Sequence, residues 1–385
     1  MLNNASDVKG ANMAAVLKVI HSQKAISKGN IATELGLTTV TVNKLVGELC
    51  EKNICVETGE YVSYGGRKAA LYRINSNYAV IFGVRLTRSR ICFTVYDFSL
   101  QKIEEEIIEI GLEELNSVLK ILIEKLCFYK KKYLKKNIIG AGICIPGRAS
   151  KSGVVIDMPE YPHWNSIDLG LRLKDATGID IYVDNDANAA ALSSKWCGFS
   201  GNMENFVYLK LDEGLGAGVM VDGEIFSGSS NCGCELGHIT INVLGEPCKC
   251  GRKGCAQAYL AASSIKAKCQ EAIGQKLTSE EIIALYNAGN KEIKNILEEF
   301  VSYLGIVLDN VFFIFDTEAI ILQNALVSNL PSLAEKLKGG IFENEKGEVI
   351  RSFRRRPPVY IMNDVAVKEA SAAAIVYEKF MKNEY

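Results

Sequence analysis

No apolar run in this sequence approaches the ~18 residues that a bilayer-spanning helix needs. The opening stretch, Met1 to Lys9, is polar and lacks the apolar core of a secretory signal. Low-complexity tracts, blocks of like charge and a short repeat period are also missing, which excludes wholesale disorder. These absences predict a cytoplasmic protein with no membrane partner. What is present is a chain of 385 residues with 48% apolar content, enough for two or three domains with real cores. Its twelve cysteines read as buried thiols plus a metal site, not as a disulfide framework.

The formal net charge of −1 hides an asymmetry. Met1 to Asn75 carries nine Lys/Arg against six Asp/Glu, and the remainder carries 35 against 39. That excess permits a nucleic-acid contact near the N-terminus without requiring one.

The first 75 residues have a helical period. Met13, Val16, Leu17 and Ile20 define one apolar helix face. Ser27 can cap a second helix with Ile31, Ala32 and Leu35 inward, and Gly36 breaks it. Thr38 can cap a third helix with Val42, Leu45, Val46 and Leu49 inward. Helix, tight turn, helix is the geometry that lays the last helix in a DNA major groove. Thr38, Thr39, Thr41, Asn43 and Lys44 then carry side chains able to reach bases or phosphates. Two strand-like segments follow, Ile54–Glu57 and Leu71–Ile74. The connection between them, with Tyr61, Tyr64, Gly65, Gly66, Arg67 and Lys68, reads as a wing whose basic pair suits a minor groove. The competing reading is a packing or dimerisation module with a solvated basic loop.

Beyond Asn75, strand-like and helical stretches alternate. Ala79–Val84 and Ile91–Tyr96 read as strands, and Leu112–Phe128 as an amphipathic helix with a solvated basic end at Lys130–Lys136. Ile138–Ile145 is a strand ending at Pro146 and Gly147. Ile179–Val183 is another, running into Asp184, Asn185, Asp186, Ala187 and Asn188 and an Ala-rich helix. Phe206–Leu211 and Ala217–Val221 read as a hairpin around Asp212 to Gly216. Two α/β lobes with a cleft between them account for this order.

The densest chemical signal is His238, Cys248, Cys250 and Cys255, separated by nine, one and four residues. One imidazole and three thiolates can close a tetrahedral site, and zinc is the cellular metal that such soft ligands favour. Gly245, Gly251 and Gly254 supply tight turns between them, whereas Cys232 and Cys234 read as core or loop thiols. The bland alternative is a set of free buried cysteines. Asn185, Asp186 and Glu235 form a second polar set with donors and acceptors suited to a polyol or sugar. Asp186 taken alone reads as a helix cap more readily than as a ligand.

These motifs resemble the ROK family of sugar kinases and sugar-responsive repressors. The resemblance rests on Pro146-Gly147, on Asn185 to Asn188, on Glu235, Gly237 and His238, and on Cys248, Cys250, Gly251, Gly254 and Cys255. The helical head and the Gly65-Gly66-Arg67 wing resemble the repressor branch, in a layout similar to xylose-type repressors. The resemblance implies a winged helix-turn-helix over 1–75, followed by a two-lobed sugar-kinase-like α/β domain of the actin/ribonuclease H type. Its lobes would be 76–192 with 366–385, and 193–365 with a Zn2+ site at His238, Cys248, Cys250 and Cys255. It implies sugar contacts from Gly147, Asn185, Asp186, Glu235, His238 and Gln257. Its partners would be double-stranded operator DNA, an effector such as xylose or another monosaccharide, and a second copy in a homodimer, or a tetramer.

The family's kinases carry Asp-x-Gly-Gly-Thr after the first strand, where this chain has Arg85 to Ser89 with no glycine. A second phosphate loop keeps Gly214, Gly216 and Gly218, but Asp212 and Glu213 beside it would repel a triphosphate. The expected adenosine-side Gly-Gly is Gln323-Asn324. A glutamate common in relatives is Gln257, and an asparagine before Tyr161 is Glu160. The expectation is therefore a repressor with no enzymatic activity. The alternatives are a bifunctional sugar kinase with a regulatory head, and a sensor that answers to a protein partner instead of a sugar.

Overall fold

The computed structural model describes residues 5–64, 67–111, 115–159, 161–200, 203–231, 233–339, 357–362 and 365–383. Gly65, Gly66, Leu112, Glu160 and Cys232 lie outside the described residues, as do the side chains of Tyr64 and Arg67. The chain divides into two compact units, Met1–Asn202 with Ala366–Tyr385, and Met203–Val365.

The first unit opens with helix α1 (Ala5–Gln23), which buries Met13, Val16, Leu17 and Ile20. A short strand β1 (Ile26–Ser27) leads into α2 (Lys28–Leu35). Ser27 caps α2 by accepting from the Asn30 amide at 3.2 Å, and Gly36 ends it at φ 63°, a conformation that favours glycine. Thr38 caps α3 (Thr39–Glu51) by accepting from the Thr41 amide, and Val42, Leu45, Val46 and Leu49 are buried beneath it. Leu35, expected inward, is only half-buried because it sits in the last turn before Gly36.

Strands β2 (Cys55–Tyr64) and β3 (Arg67–Ile74) pair antiparallel, and β1 joins the β3 side. The expected loop between short strands is thus a long hairpin. Val56, Tyr61 and Val62 on one arm and Leu71, Tyr72 and Ile74 on the other favour strand pairing, with a register slip between Glu57 and Tyr61.

Strands β4 (Val80–Leu86), β5 (Arg90–Asp97) and β6 (Lys102–Glu109) then form an antiparallel meander. Helix α4 (Leu115–Lys132) crosses to β7 (Ile138–Ile145), which lies parallel to β4. The small pair β8 (Arg148–Ala149) and β9 (Val155–Asp157) and helix α5 (Leu169–Thr177) precede β10 (Ile181–Asn185), parallel to β7. Helix α6 (Asp186–Trp196) follows directly. The sheet order is β10-β7-β4-β5-β6. The basic end of α4 is tied down: Lys125 pairs with Glu106, Lys132 with Glu104, and Lys130 donates to the Thr177 carbonyl at 2.7 Å.

The second unit repeats this topology. Strands β11 (Phe206–Leu211), β12 (Leu215–Val221) and β13 (Glu224–Ile225) form an antiparallel meander. Helices α7 (Ala256–Leu260), α8 (Ala262–Ile273), α9 (Ser279–Asn287) and α10 (Lys291–Phe315) lead to β14 (Ala319–Gln323), parallel to β11. Helices α11 (Ala325–Asn329) and α12 (Pro331–Gly339) precede β15 (Val359–Met362), parallel to β14. The order β13-β12-β11-β14-β15 matches the first sheet strand for strand. A long side of α10, from Ile293 through Leu304 to Val311, is buried against this sheet's core.

Helix α13 (Val365–Asn383) returns the chain to the first unit. It packs so closely on β7 that a Cβ on Gly142 would lie 1.8 Å from the Ala372 carbonyl oxygen. No described helix is long and apolar enough to cross a membrane.

Candidate functional site

In the second unit, His238, Cys248, Cys250 and Cys255 converge until their ligand atoms all lie within 4.8 Å of one another. The separation is 3.7 Å from Cys248 Sγ to His238 Nδ1, and 3.7 Å from Cys250 Sγ to Cys255 Sγ. Thiolates about 2.3 Å from a tetrahedral zinc stand about 3.8 Å apart, so the observed edges suit such an ion. The imidazole turns Nδ1 to the cluster, which leaves Nε2 as its other nitrogen.

The local backbone makes this convergence. Cys248 N donates to the Arg252 carbonyl at 2.7 Å, and Gly251, at φ 87°, donates back to the Cys248 carbonyl at 3.0 Å. Gly254 passes so near Asn242 that a Cβ would lie 1.7 Å from its carbonyl oxygen. Gly245 sits under Tyr259, whose hydroxyl accepts from the Glu246 amide at 2.7 Å. Arg252 reaches across to the His238 carbonyl at 3.3 Å and Thr240 Oγ1 at 2.9 Å. Burial first, then the neighbouring thiols, pushes Cys255 up to about 12. A divalent cation at the centre would take up the thiolate charge and offset that cost. Cys234 stands apart, half-buried, with its thiol toward the Phe226 carbonyl.

Two more candidates belong to this unit. Glu235 precedes the single 3-10 turn Leu236–His238. Gln257, in the first turn of α7, accepts from the Leu215 amide at 3.3 Å through Oε1, beside Gly214 and Gly237. A side chain on Gly237 would meet the Leu215 carbonyl at 2.4 Å, so glycine is required there.

The remaining candidates lie in the first unit. Asn185, and not Asp186, caps α6: its Oδ1 accepts from Ala187 N at 2.8 Å and Asn188 N at 3.3 Å. Its Nδ2 donates to the Gly147 carbonyl at 2.8 Å, so one amide hydrogen is left for a ligand. Asp186 is the first helical residue and half-buried. Gly147 packs on β9, where a Cβ would lie 2.3 Å from the Asp157 carbonyl. Asp184 beside them is half-buried, its loss of solvation raises its pKa, and it accepts from Asn188 Nδ2 at 3.0 Å.

The three departures from the kinase loops are filled by this chain's own bonds. In the turn after β4, Thr87 N and Oγ1 donate to the Arg90 carbonyl at 2.9 and 3.1 Å, and Arg90 N donates back to Thr87 Oγ1. Asp212 N closes on the Gly214 carbonyl at 3.0 Å. Asn324 caps α11 through Val327 N at 2.9 Å and donates to the Leu211 carbonyl, while Gln323 Oε1 accepts from the Tyr208 hydroxyl at 2.7 Å. Among these loops, the amides of Thr87, Arg90 and Asp212 are already partnered and so not free to meet a phosphate.

On the DNA-facing candidates, Thr38, Thr39, Asn43, Lys44 and Lys68 are exposed, and Thr41 is half-buried. Thr38 and Thr41 share a hydroxyl contact at 2.9 Å, so both serve the start of α3.

A duplicated five-stranded α/β frame with a Cys/His cluster able to hold a metal ion beside its second meander defines the class. The chain belongs to the ROK family, whose profile matches residues 81–362. It is 29% identical to the xylose repressor of Caldicellulosiruptor bescii, over 100% of both chains. It is 24% identical to the N-acetylglucosamine repressor of Escherichia coli O157:H7, over 99% of this chain and 96% of that one. Among solved structures, it resembles a ROK family transcriptional regulator described as a homolog of the E. coli MLC protein, at TM-score 0.78 and 23% identity over 97% of each chain. A ROK hexokinase from Thermus thermophilus matches at TM-score 0.64 and 23% identity, covering 78% of this chain and 98% of its own.

Proposed function

We propose that this protein is a sugar-responsive transcriptional repressor. One observation carries the reading. Likeness to the named repressors runs through 97 to 100% of the chain, whereas a whole hexokinase accounts for only 78% of it. The family match begins at residue 81, directly after α1–α3 and the β2-β3 hairpin, so the extra part is the helical head.

On this reading the head is a winged helix-turn-helix. Thr38, Thr39, Thr41, Asn43 and Lys44 meet the major groove, and Gly65, Gly66, Arg67 and Lys68 meet the minor groove. The Cys/His cluster holds Zn2+ and fixes the Glu235–His238 turn. Gly147, Asn185, Asp186, Glu235, His238 and Gln257 are the sugar ligands, and the sugar is xylose or another monosaccharide. A homodimer presents two heads to two operator half-sites, and sugar binding shifts the balance between dimer geometries. The filled phosphate loops support a chain without kinase activity.

The test is retention of a labelled duplex from the gene's own upstream region, with and without D-xylose and N-acetylglucosamine. Sugar-dependent release or capture is expected. No retention at moderate salt overturns the repressor reading. Lys44→Ala should weaken binding to all duplexes alike and lower the salt dependence, whereas Asn43→Ala should blur sequence preference.

A further inference from the structure

The two ends of α6 face different tasks. Its N-terminal cap, Asn185, is fixed to Gly147 and adjoins Asp186. Its last residue, Trp196, offers its carbonyl oxygen to His21 Nε2 at 2.5 Å. His21 sits in the last turn of α1, the first helix of the head, 175 residues away in sequence. Between these ends, the alanines, Leu192, Ser193, Ser194 and Trp196 are buried nearly all round the helix. An eleven-residue helix spans about 16 Å and, enclosed on most sides, shifts as a rod.

His21 has no spare nitrogen. A carbonyl oxygen can only accept, so Nε2 carries the ring proton, and Nδ1 accepts from the Tyr377 hydroxyl of α13 at 2.8 Å. The imidazole stands edge-on to the Trp196 ring at 5.5 Å and tilted to the Tyr377 ring at 4.9 Å. Below it, Glu378 accepts from Trp196 Nε1 at 2.8 Å and from Lys195 Nζ at 2.9 Å, in a pair buried to about a tenth of its exposure. The end of α6 is therefore locked to α13 and, through one imidazole, to α1.

We infer that His21 is the positioning residue that couples the sugar-facing helix α6 to the DNA-binding head. A shift of α6 along its axis moves the Trp196 carbonyl, and α1 follows or the bond breaks. Hydrogen bonds of this kind hold at one separation, so the contact passes on a discrete change of state. This inference rests on the repressor reading above.

The test uses the full-length chain, a labelled upstream duplex, and D-xylose with N-acetylglucosamine as second probe. In the wild type, sugar is expected to change DNA affinity by about tenfold, and in His21→Ala by less than about twofold. Sugar affinity by calorimetry and sugar-free DNA affinity should each stay within about threefold of wild type in that variant. His21→Gln, which keeps an N–H for the Trp196 carbonyl, should recover most of the response. A wild-type response in His21→Ala overturns the inference, and so does loss of sugar-free DNA binding in both variants. If neither sugar moves the wild type on DNA, the effector assignment fails, and hydrogen exchange decides the coupling. Faster exchange at 18–23 and 192–197 together in His21→Ala upholds it, whereas a change confined to 18–23 overturns it.

Discussion

Tyr161 directs its hydroxyl at the carbonyl oxygens of Thr87 and Arg88, at 3.2 and 3.0 Å. It thereby fastens the turn after β4, the one expected from the family resemblance to stand at the first phosphate loop. The amide and hydroxyl of Thr87 are closed on the Arg90 carbonyl, and the carbonyls of Thr87 and Arg88 are closed on Tyr161. The Thr87 and Arg90 amides are therefore not free to meet an anion.

Tyr161→Phe removes the hydroxyl and keeps the buried ring, so no cavity forms. The expected cost is about 1 kcal/mol, for one hydrogen bond lost from a buried site. Urea unfolding followed by tryptophan fluorescence measures it. An unchanged midpoint would mean that the turn does not depend on Tyr161.

Metal content tests the Cys/His cluster. The purified protein should carry one zinc per chain by elemental analysis, and Cys255→Ser should carry none. Gly254→Ala should also lose metal, since its Cβ would enter the Asn242 backbone and its φ of 72° disfavours any side chain. Both variants should unfold at lower temperature, because part of the binding free energy is folding free energy. Full zinc content in Cys255→Ser would remove that residue from the ligand set.

Much of this was legible in the sequence where the signal is local. Caps at Ser27 and Thr38, the buried faces of α1 and α3, and the convergence of His238 with Cys248, Cys250 and Cys255 all follow from spacing over short stretches, the longest being 238–255. What could not be read is non-local. The two matching sheets carry no visible sequence repeat, because parallel pairing is set by contacts between distant strands. Strand β6 escaped notice because it is an edge strand whose glutamates and isoleucines alternate between half-buried and exposed positions. Gln323 and Asn324 registered as missing glycines, while their bonds to Tyr208 and Leu211 are more than a hundred residues distant. At α6 the fault was one of position: the capping side chain is Asn185, one residue before the carboxylate weighed for that role.

Acid should weaken the protein partly through His21. Burial holds its imidazole below the ordinary 6.5, and the bond to the Trp196 carbonyl opposes this less strongly. The unfolded chain therefore binds a proton more readily than the folded one just below about pH 6.5. Stability that is fully present above that pH is lost as pH falls toward the folded value. His21→Gln cannot titrate, so its urea midpoint should fall less between about pH 7.5 and about pH 5.5 than the wild-type midpoint. Comparing the two proteins cancels proton release at the metal cluster and the carboxylate titrations common to both. Equal slopes would show that the ring is not held neutral.

Asn324 links the structural and functional arguments. It is 3% exposed, caps α11 through the Val327 amide and donates to the Leu211 carbonyl at 3.3 Å. Asn324→Ala removes the cap and leaves a buried carbonyl without its donor, for an expected loss of about 1–3 kcal/mol. Asn324→Gly removes the same side chain, at a similar loss in stability. If the other closed loops also exclude nucleotide, neither variant nor the wild type should consume ATP with magnesium and xylose in a coupled assay. ATP turnover by the wild type that disappears in Asp186→Asn would make this chain a kinase with a regulatory head. Turnover only in Asn324→Gly would mean that a single side chain keeps the nucleotide out.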